Sequence, residues 1–264
     1  MVHPHLLRDD LNDILAAALG DHPETVIETH LLRRRLCHAY VLGDPRHFRA
    51  AIVQGVQLIE EPAGYGDDVD ALFELLHDVE AWTCVCVAGH LASKLGRLIE
   101  DRYSTNVRYL DDIYHIATEC VRPVPHPGVR ALTAADLPLL LQAPRELRGS
   151  GYADTATMLS TGVAAGVIVS GALVSLAQVT ALSERYADVG VFTDPNHRGR
   201  GYASASAALV CQLALAIKRI PVWSCGENNE PSLRIARHLG FREVSRRRYV
   251  ILEDTRAKPG SAGH

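Results

Sequence analysis

The segment NHRGRGYAS, residues 196–204, places two arginines and two glycines at the start of an alanine-rich apolar run that is predicted to be a helix. The first N–H groups of a helix have no partner within it, and the helix dipole adds partial positive charge there. Gly199 and Gly201 allow the backbone to approach a ligand closely, and Arg198 and Arg200 add charge. The segment therefore predicts a phosphate-binding site.

Two common phosphate-binding motifs do not fit this loop. The Walker A pattern GxxxxGK[ST] is absent, and GRGYAS lacks the third glycine of the dinucleotide pattern GxGxxG, although alanine can stand there. The loop also follows a predicted antiparallel meander, late in the chain. A tight turn from strand to helix with solvent-facing arginines is the structural alternative.

Two segments together resemble the GNAT superfamily of acetyl-CoA-dependent N-acetyltransferases. RGRGYA matches the family loop Q/R-x-x-G-x-G/A at Arg198, Gly201 and Ala203. NEPSLRIARHLGF is similar to the family's second signature, an asparagine followed by a helix that ends in Leu-Gly-Phe. The resemblance covers residues 129–252 and is closest to the zwittermicin-resistance-like subgroup, whose members carry an extra N-terminal region.

The resemblance implies a mixed, mainly antiparallel sheet, splayed between the strand VGVFT and the next strand VWSC. It implies acetyl-CoA as cofactor, with the pyrophosphate on the loop amides and the pantetheine arm paired with the end of VGVFT. Asn229 would point at the cofactor, or cap the last helix, or do both. The implied cofactor-binding residues are Val191, Phe192, Thr193, Arg198, Gly199, Arg200, Gly201, Tyr202, Ala203, Ser204, Asn229 and Ser232.

The implied chemistry is direct attack of an amine on the thioester in a ternary complex. An alkyl ammonium with a pKa near ~10 is almost fully protonated at neutral pH, so a base is useful. Asp188 and Glu184, which precede VGVFT, are the candidate catalytic carboxylates that would act as the base. We prefer Asp188 because of its position. The alternative for Asp188 is a carboxylate paired with an arginine or facing solvent. The N–H of Val191 or Phe192 is a candidate to polarise the carbonyl group.

The sequence departs from the family pattern in the last helix. Many relatives place there a tyrosine that protonates the departing thiolate, and the matching position is Ala236. Ser232 and Tyr249 are possible substitutes, or the thiolate leaves without a dedicated acid. Cys225 could suggest a covalent intermediate, but a cysteine in a buried strand usually only packs.

The chain length of 264 residues and a proline-rich break in the sequence predict two α/β (α+β) domains. The proline-rich stretch VRPVPHPGV indicates a linker at 122–128, between an N-terminal α/β domain at 1–121 and an acetyltransferase domain at 129–255. Residues 256–264 are predicted to be a disordered tail. The N-terminal half contains no catalytic motif, and one interpretation makes it a degenerate copy of the same fold.

Periodicity predicts the elements of each half. In the first we expect helices near 4–19, 22–36 and 67–78, and strands in HAYVLG, RAAIVQ, WTCVCV and VRYLDDIYHIA. In the second we expect three consecutive strands before the loop, a buried helix over 202–218, a strand in VWSC, a helix in NEPSLRIARHLG and a final strand in FREVSRRRYVIL.

Composition restricts the partners. The net charge of −4 gives no global basic field for nucleic acid, and no apolar stretch is long enough to span a bilayer. The histidines lack metal-ligand spacing, so no metal is expected. We expect a cytoplasmic N-acetyltransferase acting on a primary amine of a small molecule, with a homodimer left open. The alternatives are a non-catalytic acyl-CoA-binding regulatory module and an enzyme that acetylates protein lysines or N-termini.

Overall fold

The structure is a computed structural model, and it describes residues 5–118 and 121–253. The first half of the chain contains four helices and five strands within the described residues. They are α1 Asn12–Leu19, α2 Val26–Arg34, β1 Cys37–Asp44, β2 His47–Gly55, β3 Leu58–Tyr65, α3 Val69–Leu76, β4 Cys84–Ala88, α4 Gly89–Tyr103 and β5 Val107–Ile116.

The second half follows the order of a meander and then two strand–helix units. Its elements are β6 Val129–Ala131, α5 Leu137–Gln142, α6 Thr155–Thr161, β7 Ala164–Val169, β8 Ala172–Leu182, β9 Tyr186–Thr193, α7 Tyr202–Ala216, β10 Ile220–Gly226, α8 Glu230–Leu239 and β11 Arg242–Leu252. Short 3₁₀ turns precede α1, α2 and α5.

Most predicted elements are confirmed, and the errors have local causes. The two N-terminal helices are shorter than predicted, because each begins only after a 3₁₀ turn. Strand β3 was missed, because its segment LIEEPAGY contains two glutamates, a proline and a glycine, which are all depleted in strands. The tail predicted at 256–264 lies outside the described residues.

One sheet runs through both halves of the described chain. Its strand order is β1-β2-β3-β4-β11-β5-β10-β9-β8-β7-β6. The last strand of the chain, β11, therefore lies between β4 and β5 of the first half, and β5 lies between β11 and β10. Each half completes its sheet with a strand from the other half. The division into two domains at 122–128 remains a prediction.

Helices cover both faces of the sheet, and alternating side chains pack under different helices. Leu176 on β8 packs with α5 and α6, whereas its neighbour Ala177 packs with α7 and α8. In the first half, Val53 packs with α1 and α2, whereas Ile52 packs with α3 and α4. The fold class expected from the sequence, a mainly antiparallel mixed sheet flanked by helices, is confirmed.

Two parallel strand pairs interrupt the antiparallel pattern, and both diverge. Strands β9 and β10 pair only over Tyr186–Asp188 and Ile220–Val222. Strands β3 and β4 pair only at Ala63 and Cys86. Beyond these points β10 continues along β5, and β4 continues along β11. The splay that was expected beside VGVFT is present, and the first half has a splay of its own.

Arg247 on β11 bridges the two strands that diverge in the first half. Its Nη2 atom donates hydrogen bonds to the carbonyl oxygens of Gly64 on β3, at 2.6 Å, and of Cys86 on β4, at 2.9 Å. Its guanidinium carbon lies 4.2 Å from the centre of the Tyr65 ring. The hydroxyl of Tyr65 donates to Glu28 on α2 at 2.7 Å. A residue near the end of the chain thus holds together the splay of the N-terminal half.

We predict that Arg247→Ala destabilises the protein by about 3–5 kcal/mol, because it removes a buried cation and leaves Glu28 without its counter-charge. Urea unfolding followed by circular dichroism measures the change. Arg246→Ala is the control, since Arg246 is exposed and pairs with Glu243 at the surface, so its loss is expected to cost less than about 1 kcal/mol. Equal effects of the two substitutions would contradict the bridging role of Arg247.

Candidate active site

The edge of β9 that faces the splay is unpaired after Asp188. The N–H of Ile220 donates to the carbonyl of Arg185, whereas the N–H of Asp194 donates to the carbonyl of Val174 on the opposite side. Backbone groups alternate along a strand, so odd-numbered residues of β9 direct their N–H and C=O groups towards β10. The amide of Val191 therefore points into the splay. The amide of Phe192, the other predicted candidate, points towards β8.

The loop after β9 leaves the N-terminus of α7 open. Gly199 and Gly201 have φ of +75° and +79°, a region that favours glycine, and a Cβ at either position would meet nothing within 4 Å. Gly201 is the N-cap of α7, makes no side-chain capping bond, and no acidic residue occupies the first turn. The free N–H groups of this turn are suited to an external anion.

A cavity of about 540 Å³, which we call the loop cavity, lies between this loop, the end of β9 and the start of α8. Eleven of the twelve residues predicted to bind the cofactor line it. The exception is Arg200, which is exposed. Sequence reasoning missed His197, Pro231 and Ile235. Pro231 and Ile235 lie within the second signature, which offered a signal for them, whereas His197 stood out by no pattern.

The start of α8 forms one wall of the loop cavity. The side chain of Asn229 accepts a hydrogen bond from the N–H of Ser232 at 3.3 Å, so Asn229 caps the helix while it lines the cavity. The hydroxyl of Ser232 accepts a hydrogen bond from the indole N–H of Trp223 at 2.9 Å. Ala236 is fully buried and contributes no polar group.

Asp188 lies at the point where β9 and β10 separate. It is 6% exposed, and its carboxylate accepts hydrogen bonds from the hydroxyls of Thr180 and, at 3.3 Å, of Ser224. Burial raises its pKa to about 6, against the lowering effect of these two hydroxyls, and the nearby Asp112 and Glu28 raise it further. A carboxyl group with this pKa can take a proton near neutral pH.

The other candidate base, Glu184, is not at this place. It lies in the turn that precedes β9, and its side chain is 77% exposed and 3.4 Å from Arg33. The loop cavity is at the opposite end of the strand. The structure therefore separates Glu184 from the residues that it groups around Asp188.

The other groups considered for proton transfer or covalent chemistry are not activated. Burial raises the pKa of the Cys225 thiol, which reduces the fraction of the nucleophilic thiolate. Burial also raises the pKa of the Tyr249 hydroxyl. Tyr249 lines a different cavity, which shares only Asn229 with the loop cavity.

Two further cavities lie on the sheet face that carries Asp188. The sheet cavity, of about 710 Å³, is bounded by β8, the end of β9, the turn 145–150 and the β2–β3 hairpin. The acidic cavity, of about 550 Å³, lies over β4, β11, β5 and β10, and Glu28, Glu61 and Asp112 line it. Thr180 lines the first and Ser224 the second, so the two hydroxyls bound to Asp188 face separate cavities.

Residues 143–251 match the family model described as GNAT acetyltransferase. A GCN5-related N-acetyltransferase-like protein from Streptococcus suis superimposes with a TM-score of 0.66 at 20% identity, covering 92% of this chain and 99% of that one. The chain has the GNAT acetyltransferase fold. A GNAT-family acetyltransferase from Colwellia psychrerythraea gives a TM-score of 0.58 at 13% identity, covering 94% of this chain and 98% of that one.

A tandem GNAT protein from the clavulanic acid biosynthesis pathway also matches, with a TM-score of 0.53 at 15% identity, covering 93% of this chain and 96% of that one. The GNAT neighbours thus cover nearly the whole chain, including the half without the loop. A search of curated proteins found no significant match. The family match over residues 143–251 supports an acyltransferase, and GNAT acetyltransferases use acetyl-CoA as acyl donor. The solved structures show the fold.

Neither a membrane span nor a metal site is found within residues 5–118 and 121–253. No helix there combines the length and hydrophobicity that crossing a bilayer requires. No group of three or more histidine, cysteine, aspartate or glutamate side chains there is arranged to hold a metal ion.

The first half of this GNAT fold lacks an open anion site at the equivalent helix. Asp68 is the N-cap of α3, and its carboxylate accepts a hydrogen bond from the N–H of Ala71 at 3.0 Å. Asp70 adds a negative charge in the first turn. Arg247 bridges the neighbouring splay. In the first half, the helix N-terminus and the carbonyl groups at the splay are therefore bound by side chains of the protein itself, Asp68 and Arg247. Within the described residues, the corresponding groups of the second half remain free.

We predict that one acetyl-CoA binds per chain, because only α7 offers an uncapped N-terminus beside an open splay among the described residues. Isothermal titration calorimetry should give a stoichiometry near one. A stoichiometry near two would show that the first half also binds, despite Asp68 and Arg247.

We predict that Gly201→Ala weakens binding of coenzyme A about tenfold or more, because a Cβ would occupy the space next to the loop amides and the positive φ would be strained. Gly240→Ala is a matched control. Gly240 also has a positive φ, +95°, and open space around a Cβ, but it lies at the far end of α8. Equal dissociation constants for the two variants, measured by calorimetry, would mean that the loop is not the phosphate site.

Proposed function

We propose that the protein is an N-acetyltransferase that transfers the acetyl group of acetyl-CoA to a primary amine of a small molecule. The observation that carries the proposal is the position of Asp188, a buried carboxyl group where the paired part of β9 and β10 ends. The loop cavity supplies the anion site, and the free amide of Val191 lies between the two. The segment PVWSCGENNEPS, residues 221–232, favours a place near the zwittermicin-resistance-like subgroup.

The loop would hold the pyrophosphate through the N–H groups at the start of α7, with Arg198 adding charge. Arg198 is held in place by a hydrogen bond of 3.2 Å from its Nε atom to the carbonyl of Thr193. Acetyl-CoA supplies an activated acyl group as a thioester. The exposed edge of β9 would pair with the amides of the pantetheine arm, as in β-strand addition.

Asp188 would receive the proton of the attacking ammonium group, directly or through one water molecule. The amine nitrogen then forms the C–N bond with the acyl carbon, the C–S bond breaks, and the second proton of the nitrogen passes to the departing thiolate or to solvent. The N–H of Val191 would donate to the carbonyl oxygen as negative charge develops on it. The thiolate leaves without a dedicated acid, which its ordinary pKa near ~8.5 permits.

Binding of acetyl-CoA without transfer is the second candidate function. One observation favours it, namely that Ala236 offers no acid at the position where relatives carry a tyrosine. An assay of thiol release from acetyl-CoA across a panel of primary amines separates the two functions. Turnover with any amine supports transfer, whereas calorimetric binding with no turnover across the panel supports a binding module.

We predict that Asp188→Asn lowers kcat at least about a hundredfold, within the usual range for loss of general base catalysis, and leaves the KM for acetyl-CoA unchanged. Because burial raises the pKa of Asp188 to about 6, the active, ionised carboxylate forms as pH rises. The kcat/KM of the wild type should therefore increase from pH 5 to pH 7 with a midpoint about 6, separate from deprotonation of the amine near ~10.

Glu184→Gln is the control, since it removes an exposed carboxylate from the far end of the same strand. Its pH profile should match that of the wild type. The assignment of Asp188 fails if Asp188→Asn retains the midpoint about 6, or if it retains full activity.

A further inference from the structure

The sheet cavity adjoins the end of β9, where the proposed reaction takes place. It shares Val191 and Phe192 with the loop cavity, and Thr180, which donates to Asp188, lines its floor. Gly190 also lines it and leaves the strand surface bare at that point. A molecule in the sheet cavity therefore lies against the end of β9 and against Thr180, the residue that donates to Asp188.

The N-terminal half forms one wall of this cavity and is fastened to the opposite wall. Gln57, in the β2–β3 hairpin, accepts a hydrogen bond from the N–H of Gly151 at 3.1 Å and donates one to the carbonyl of Tyr152 at 2.6 Å. On α2, His30 lies 2.8 Å from the carbonyl of Gly151 and accepts from the N–H of Leu182 at 3.1 Å. These contacts fix Gly151 and Tyr152 over β8.

Gln178 is a buried polar residue of this cavity with an unused acceptor. It is 4% exposed, and its Nε2 atom donates to the carbonyl and the hydroxyl of Ser150 at 3.1 and 3.2 Å. The carbonyl acceptor of Ser150 fixes the orientation of the amide. The Oε1 atom of Gln178 has no hydrogen-bond partner. Leaving such an acceptor buried and unpaired is unfavourable, and a donor from a ligand would satisfy it.

We propose that the sheet cavity binds the acceptor, and that the acceptor is a polar primary amine with a second hydrogen-bond donor, a hydroxyl or an amide N–H, which Oε1 of Gln178 accepts. This inference depends on the proposed function and adds the substrate class. Gly149 covers the oxygen, with φ of +87°, and a Cβ there would lie 2.5 Å from Oε1. The proposal requires Gly149 to shift so that the donor of the substrate reaches this oxygen.

The test compares matched pairs of amines that differ only in a hydroxyl and its methyl ether, such as amino alcohols and their O-methyl derivatives. We expect the wild type to favour the hydroxyl member at least tenfold in kcat/KM, because a buried acceptor left unpaired penalises the ether. Gln178→Met should reduce that ratio to about one with the ethers little affected. Gln212→Met, on α7 and outside the sheet cavity, should match the wild type.

Thermal unfolding and the dissociation constant for acetyl-CoA establish that each variant is folded. A ratio near one in the wild type, with measurable turnover, overturns this inference and leaves the proposed function intact. If Asp112→Asn raises the KM for the amine while Gln178→Met does not, the acceptor binds in the acidic cavity and the inference is wrong. Binding of acetyl-CoA without turnover of any amine overturns the proposed function, and the inference with it.

Discussion

The site depends on one missing set of hydrogen bonds, those that β9 and β10 do not make after Asp188 and Val222. Unpaired strand edges are usually covered or blocked in proteins. Here β10 continues in register with β5 from Val222 to Gly226, so it cannot turn back to pair with the end of β9. The gap stays open because one of its two strands is held on the far side. The proposed base, the loop and the free amide of Val191 all take their positions from this divergence.

Because their last strands are exchanged, the two halves have a similar arrangement of strands and helices, but different residues lie at their splays. Strands β11 and β5 lie side by side at the centre of the sheet, and the backbone of Arg247 lies opposite that of Asp112 in their register. Arg247 is directed to the splay of the first half and binds carbonyl groups on both of its strands. Among the described residues, the second half has no such bridge at its own splay, where the carboxylate of Asp188 accepts hydrogen bonds from two hydroxyls. In the first half, Arg247 therefore bridges the splay and Asp68 caps the helix. In the second half, the corresponding splay and helix N-terminus remain open.

The sequence predicted the parts of the site that depend on local patterns. The glycines and arginines of 198–201, and the cap and helix that begin at Asn229, lie within a few residues of one another, so local rules identify them. Glu184 and Asp188 are close in sequence but differ in burial and position along β9, which no local pattern expresses. Strand β3 and the placement of β11 between β4 and β5 depend on pairing between distant segments. In addition, the composition of β3 is unlike that of an ordinary strand, so it was not predicted.

The half without a catalytic motif sets the chemical properties of the proposed base. The pKa of Asp188 is raised first by burial, to which α2 contributes by packing on β8 and β9, and then by Asp112 on β5 and Glu28 on α2. Both carboxylates belong to the first half of the chain. Burial raises the pKa of Glu28 and of Asp112 as well. The three acids therefore share a buried environment of low dielectric constant beside the splay. A second half on its own would retain the loop and the hydroxyls of Thr180 and Ser224, which lower the pKa of Asp188. The first half thus acts on the candidate site through this carboxyl group, in addition to supplying the strand that keeps the splay apart.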